Sequence, residues 1–223
     1  KVTRPTDAVL ESHETYSTPM PYTWGDRREI LIVGGDCVTG HDPGSGAELW
    51  RWGSWNPAKI THWRIVPSLA AMEGFIYVCA PKGSPVFAIN AGGKGKLSDD
   101  AIAWKLEQNT SDVCVPLIYR DRIYVLDGDG RVLTCMDPRT GEVKWAEELE
   151  GTATIKASAT GADGKIYIID EEGTVFVLAA GDRFRILSKV EMGEGLCRSS
   201  IPVADGQLFI RTAENLYCVG DGE

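Results

Sequence analysis

The residues best suited to chemistry open with a tripeptide, His62-Trp63-Arg64, in which an imidazole, an aromatic face and a guanidinium follow one another. A guanidinium grips carboxylates through paired hydrogen bonds, and a neighbouring indole gives a flat surface to pack against. Together they suit a carboxylate, a sugar or an acidic side chain of a partner. Similar short polar runs recur along the chain: His13, Glu14 and Tyr16; Ser111 and Asp112; Lys156; Cys197 and Arg198. Each leads into an apolar stretch. The plain structural alternative is that Trp63 caps a core and Arg64 pairs with an acid such as Asp112.

Other chemistries find little in the chain. His13 and His62 each precede a proline (Pro19 and Pro67) by five or six residues, and with Glu14 they could contribute to a metal site. Two histidines in loops are more simply exposed, and no metal is expected. His41 is the third histidine. Asp127-Gly128-Asp129-Gly130 and Asp170-Glu171-Glu172-Gly173 lack the spaced ligands and closing bidentate Glu of a calcium loop, so they read as hairpin turns. There is no Gly-x-Ser-x-Gly or phosphate-loop spacing, and no catalytic residue is assigned. The six cysteines (37, 79, 114, 135, 197 and 218) include no Cys-x-x-Cys. Cys79, Cys135 and Cys218 fall in apolar runs and read as buried free thiols, while a Cys114–Cys197 disulfide stays open.

The elements that must position these residues are short strands, repeated. Residues 122–126, the turn Asp127-Gly128-Asp129-Gly130, residues 132–136, the turn Asp137-Pro138-Arg139-Thr140-Gly141 and a strand opening at 142–145 form one unit. Glycine accepts positive φ without steric cost and proline pre-sets a type I turn, with Gly141 suited to a following bulge. Asp42-Pro43-Gly44-Ser45-Gly46 and then Trp50 repeat the Asp, Pro, Gly and Trp positions of that unit. Aromatics at Tyr77, Tyr124, Tyr167 and Phe209 recur at spacings of 47, 43 and 42. Trp50, Trp104 and Trp145 recur at 54 and 41, the first spacing enlarged by a Gly- and Lys-rich insertion at 91–100.

A period in the low forties with four strands per copy predicts an all-β fold, a β-propeller of four-stranded antiparallel blades. The copies run roughly 16–52, 65–108, 113–149, 157–191 and 199–219, with residues 1–4 as an outer strand. That amounts to about five blades' worth of strands in a single domain, as a closed five-bladed ring or an arc of a larger one. Pro19, Pro67, Pro116 and Pro202 would sit on first strands at an inner edge, where a missing N–H is harmless. Each buried Trp removes enough surface from water to stabilise its blade by about 4–6 kcal/mol as an upper figure.

The totals agree. With 25 Gly and 11 Pro, turns are frequent and helical stripes hard to find. A net charge of −9 without a basic stripe argues against nucleic acid, and no apolar run approaches a membrane span.

The recurring Tyr-Val/Ile, Gly-x-Val/Leu and Asp-x-x-Thr/Ser-Gly-x-x-x-Trp pattern resembles the repeat of the pyrroloquinoline-quinone-like propellers, a group that includes quinoprotein alcohol dehydrogenases and the outer-membrane assembly lipoprotein B. It is carried by Asp42, Gly46 and Trp50; Ile89 and Trp104; Asp137, Thr140, Gly141 and Trp145; and Tyr77, Tyr124, Tyr167 and Gly173. Gly181-Asp182-Arg183-Phe184 departs from it, which predicts a fourth blade packed less tightly. Enzymes of the group use a neighbouring cysteine pair and a calcium held by carboxylate and amide oxygens. No two cysteines are adjacent in this chain, so neither quinone nor calcium is expected. The repeat and the lack of any assembled catalytic set point to a non-catalytic scaffold that presents loops and a polar channel mouth to a protein or a small polymeric or polar ligand, and the resemblance implies the periplasm or the cell surface. The connections leading into the inner strands supply the site candidates His13, Glu14, Tyr16, His62, Trp63, Arg64, Asp112, Lys156 and Arg198, which a propeller would bring around one end of its channel. Self-association through open blade edges is a further expectation. The competing reading is part of a quinone-dependent oxidoreductase whose catalytic groups lie elsewhere.

Overall fold

Residues 1–220 are described by a computed structural model. The first sheet holds β1 (Met20–Trp24), β2 (Arg27–Gly34), β3 (Cys37–His41) and β4 (Glu48–Trp52); the second holds β5 (Ala70–Met72), β6 (Phe75–Cys79), β7 (Val86–Asn90) and, beyond the two-residue β8 (Gly95–Lys96), β9 (Ile102–Leu106). The third sheet is β10 (Leu117–Tyr119), β11 (Arg122–Asp127), β12 (Val132–Met136) and β13 (Val143–Glu148). The fourth is β14 (Thr160–Ala162), β15 (Lys165–Ile169), β16 (Thr174–Ala179) and β17 (Ile186–Glu191), and the fifth has three strands, β18 (Val203–Ala204), β19 (Gln207–Arg211) and β20 (Leu216–Val219). Apart from β8, neighbouring strands pair antiparallel in each, as the blade reading requires. The chain divides into two compact units, Lys1–Asp112 with Pro138–Gly141, and Val113–Asp137 with the chain from Glu142 on.

The middle strands are buried on both faces, which is why they read as unbroken apolar runs instead of alternating ones. Opposite each tryptophan stands a small residue: Gly40 faces Trp50, Ala88 faces Trp104 and Cys135 faces Trp145. A register shift follows at the same place in all three pairs, and again at Val177/Leu178 in the fourth sheet. The fourth sheet has the shift with Ser188 facing Val177 and no indole, so the bulge belongs to the repeat's own strand geometry, and the tryptophans are seated beside it. Gly46 and Gly141 take φ of 75° and 74° in the turns that feed it.

Several expectations need correcting. The first strands begin about three residues later than predicted, so Pro19, Pro116 and Pro202 each stand one residue before a strand and Pro67 three before. Proline has no N–H to give a ladder, and these approach segments instead bond individually, as when Val115 N–H donates to Ser158 Oγ at 2.9 Å. Residues 1–4 form no strand. Val2 lies against Gly46 as Trp104 lies against Gly141. Arg4 is held by the Gly34 and Cys37 carbonyls at 2.7 Å each and by Thr39 Oγ1 at 2.8 Å. Three strong donors fix that segment without any ladder.

The insertion at 91–100 is the other surprise. Its β8 leaves the second sheet and pairs parallel with β4, Gly95 opposite Trp50 and Lys96 opposite Arg51, as a fifth strand of the first sheet. The first sheet's outer edge is thereby covered.

The departure at Gly181 does not loosen the fourth sheet. Trp145 Nε1 donates to the Gly181 carbonyl at 2.9 Å, Gly181 N–H donates to Tyr124 Oη at 2.8 Å, and Phe184 meets the Trp145 ring edge-on at 5.3 Å. An aromatic ring restores what the missing tryptophan removed. In the fifth sheet the Glu194 carboxylate collects Tyr217 Oη at 2.6 Å, Asn215 Nδ2 at 2.7 Å and the Thr212 hydroxyl, and these donors hold it below the usual carboxylate range. Cys37, Cys79, Cys114, Cys135 and Cys197 are buried thiols, and burial pushes that of Cys114 up to about 12. Cys218 is exposed, contrary to expectation, because it lies on the less covered three-stranded sheet.

Candidate functional site

In the first unit the candidates sit on two segments that run side by side. A 3-10 turn over Leu10–His13 leads into Thr15, which bridges in parallel to Ile65. Ser12 N–H donates to the Thr61 carbonyl at 3.0 Å, Ser12 Oγ to the Ile60 carbonyl at 2.5 Å, and Tyr16 N–H to the Ile65 carbonyl at 2.9 Å. Ser12 is fully buried, so it rivets the two segments together. This rivet was not legible beforehand, since a serine between Glu11 and His13 reads as a surface residue.

Upon that frame Arg64 donates to Glu11 Oε2 at 2.8 Å and lies 6.0 Å from the centre of the Tyr16 ring. Tyr16 is 62% exposed, Trp63 and Arg64 are half-buried, and His13, Glu14 and His62 are exposed. Leu10, at φ 49° and 76% exposed, holds a bulky side chain outward on a left-handed backbone. The expected pairing of Arg64 with Asp112 does not form. Asp112 instead accepts from the Lys82 backbone N–H at 2.9 Å and its ammonium at 3.2 Å, capping the β6–β7 turn. Ser111 beside it is fully buried. His41 is buried too, its ring bonded to Thr39 Oγ1 at 2.9 Å and the Gly46 carbonyl at 3.1 Å, a packing role.

In the second unit Lys156 pairs with Asp129, and Arg198 with Glu171 at 2.5 Å. Glu171 also accepts from the Thr154 hydroxyl; that bond first, then Arg198, holds its carboxyl below the usual range. Asp127 and Asp170 are turn residues, as expected. Asp127 Oδ1 accepts from Gly130 N–H at 2.9 Å, and Asp170 Oδ1 from Thr174 N–H at 2.9 Å. Sequence reasoning passed over Arg131. It is 4% exposed, donates to the Leu149, Glu150 and Ala153 carbonyls, and lies 3.5 Å from the equally buried Asp170. An arginine after a glycine turn looks like a solvent-facing residue until the loop folded over it is seen. Among the described residues no three His, Cys, Asp or Glu side chains are grouped as metal ligands, and no helix is long and apolar enough to cross a membrane.

Four-stranded antiparallel sheets, a small residue facing each fourth-strand tryptophan, and the Asp-Pro-x-x-Gly turn define a β-propeller built from pyrroloquinoline-quinone-like repeats. The chain belongs to the family of the outer membrane protein assembly factor BamB, whose profile matches residues 34–183. Its fold is similar to that of a quinohemoprotein alcohol dehydrogenase from Comamonas testosteroni, with 14% identity and a TM-score of 0.65 over 95% of this chain and 43% of that one. The quinohemoprotein alcohol dehydrogenase ADHIIG of Pseudomonas putida is similar at 17% identity and a TM-score of 0.54, over 66% of this chain and 28% of that one. BamB from Moraxella catarrhalis matches at 14% identity and a TM-score of 0.47, covering 88% of this chain and 70% of that one. The chain therefore spans less than half the length of either dehydrogenase, and at these identities the likeness is one of fold. A comparison with curated proteins finds no match.

Proposed function

We propose that the chain is a non-catalytic binding scaffold whose first unit offers Leu10, Tyr16, Trp63 and Arg64 to a protein partner. The observation that carries this is the pinned Tyr16–Arg64 stack: an exposed aromatic and a guanidinium held in one geometry by Glu11 and by the riveted backbone beneath. Tyr, Trp and Arg are enriched among the residues that dominate binding energy at protein interfaces; the aromatics freeze few rotors, and Arg64 is already held by Glu11. Leu10, exposed on the turn that carries Glu11, adds an apolar knob on the same segment. The family's description as an outer-membrane assembly factor supports an envelope protein as partner and the periplasm as compartment. The cysteines of this chain offer no adjacent pair for a quinone, which supports the scaffold over the oxidoreductase reading.

The test is a photo-crosslinker placed at position 10 of the full parent chain in its own cells, compared with the same chain carrying Tyr16→Ala and Arg64→Ala. A crosslink to one envelope protein, lost in the double variant, is the expected result. Equal crosslinking in both forms would count against this surface. Dye reduction by the parent chain with quinone and calcium added would replace the scaffold with an enzyme.

A further inference from the structure

In the second unit, the turn joining β16 to β17 reverses the charge that its counterparts carry. Ala179 N–H donates to the Arg185 carbonyl at 3.0 Å, as Asp42 N–H donates to Ala47 at 2.9 Å and Asp137 N–H to Glu142 at 2.9 Å. Position for position, Ala179 therefore replaces Asp42 and Asp137, and Arg185 replaces Ala47 and Glu142. In the first sheet Asp42 Oδ1 closes its own turn, accepting from Gly44 N–H at 3.1 Å and Ser45 N–H at 2.7 Å. Ala179 has no carboxylate to offer. The turn's remaining acid, Asp182, is engaged by Arg122, whose Nη2 donates to Oδ2 at 2.8 Å. Among the described residues the N–H groups of Asp182, Arg183 and Phe184 have no protein acceptor, and the exposed Arg183 and Arg185 have no ion-pair partner. These arginines line a cleft of about 610 Å³ whose apolar lining comes from Phe184, Ala179 and Ala180.

We propose that this turn is a docking site for an acidic segment of a partner protein, one carboxylate accepting from Arg183 and a neighbouring one from Arg185. A guanidinium donates in pairs to a carboxylate, and a carboxylate brought to the turn supplies the acceptor that Asp42 supplies in the first sheet. The net charge of −9 opposes a long polyanion such as nucleic acid. A cleft lined by residues 179–185 alone is too open to enclose a small anion. The ligand that matches is a short run of Glu side chains, with methylenes to lay against Phe184 and carboxylates for the two cations.

Fluorescence anisotropy of labelled hexaglutamate titrated with the chain tests this, with hexaglutamine as the neutral comparison. Saturable binding is expected for hexaglutamate and none for hexaglutamine. Arg183→Gln with Arg185→Gln should weaken it about tenfold or more, and Ala179→Asp should do the same by returning the turn's own acceptor. Arg28→Gln with Arg211→Gln removes the same charge from exposed positions elsewhere and should leave the affinity unchanged. Should Ala179→Asp fail to fold, the two arginine pairs still decide. No saturable binding of hexaglutamate, or an equal loss in both arginine pairs, overturns the proposal. Displacement by inorganic phosphate, where chloride of equal ionic strength has no effect, would replace the acidic segment with a phosphoryl ligand. A chain carrying Tyr16→Ala and Arg64→Ala should bind hexaglutamate as the parent does, so this site and the first unit's surface can fail separately.

Discussion

Trp50 and Trp104 occupy the same position in successive sheets of the first unit, and each must find an acceptor for a buried indole N–H. Trp104 donates straight to the Pro138 carbonyl at 2.9 Å, which also accepts from Tyr77 Oη at 3.0 Å. For Trp50 the corresponding turn is missing, because the insertion at 91–100 replaces it. Its Nε1 donates instead to Glu29 Oε2 at 2.7 Å; Glu29 pairs with Arg27 at 2.6 Å, and Arg27 donates to the Gly92 and Gly93 carbonyls of the insertion at 2.5 and 3.0 Å. Two charged side chains relay what one backbone carbonyl does elsewhere. The repeat therefore conserves a donor and its burial, while the acceptor is whatever the local chain can bring.

The largest test of that view is Trp50→Ala against Trp104→Ala. Removing Trp104 should cost about 3–5 kcal/mol through the cavity it leaves. Removing Trp50 should cost more, since it also strips a donor from a carboxylate only 4% exposed. Urea unfolding midpoints decide, and equal losses would mean the relay carries no weight. Next comes Glu29→Ala, expected at about 3–5 kcal/mol because Arg27 and Trp50 both lose their acceptor, against about 1–2 kcal/mol for Glu29→Gln, which still accepts from the indole. A smaller effect, about 1–3 kcal/mol, is expected for Gly40→Ala. Its new Cβ would stand 2.1 Å from Trp50 Nε1 and 2.5 Å from Glu29 Oε2, whereas the matching position facing Trp104 already carries Ala88. Thermal melts of Gly40→Ala showing no loss would place the relay elsewhere.

The last and smallest concerns the other carboxylate hub, Glu194. Its folded-state pKa lies below its unfolded value, so its stabilisation is present above the ordinary Glu range near 4.3 and is lost as pH falls through the lower folded value. Melting temperature followed from pH 6 downward should fall more steeply in the parent than in Glu194→Gln. Parallel curves would show that the hub titrates identically in both states.

The repeat was legible because tryptophan and tyrosine have to be buried and their spacing survives loop changes. The same logic located the turns, where Gly46 and Gly141 supply the positive φ predicted for them. What escaped is where a charge or a backbone group works inside. Arg27 and Glu29 alternate in a strand as a solvent face would, and nothing in their identity announces an indole between them. Phe184 stood too far from the Trp register to be read as its replacement. Gly95-Lys96 carries no strand signal, and its pairing depends on a neighbour distant in sequence. At the site, the residue types of Tyr16 and Arg64 were readable, but Glu11 as the partner was not, because choosing among exposed acids requires knowing that residues 10–16 lie beside 60–65.

The parallel strand β8 has an evolutionary corollary. Since the outermost ribbon of the first sheet is borrowed from between the third and fourth strands of the second, neither copy is a self-contained cassette. A recombination event that duplicates or excises one of them leaves the other with a bare flank, so descendants of this chain should gain or lose that pair of repeats together.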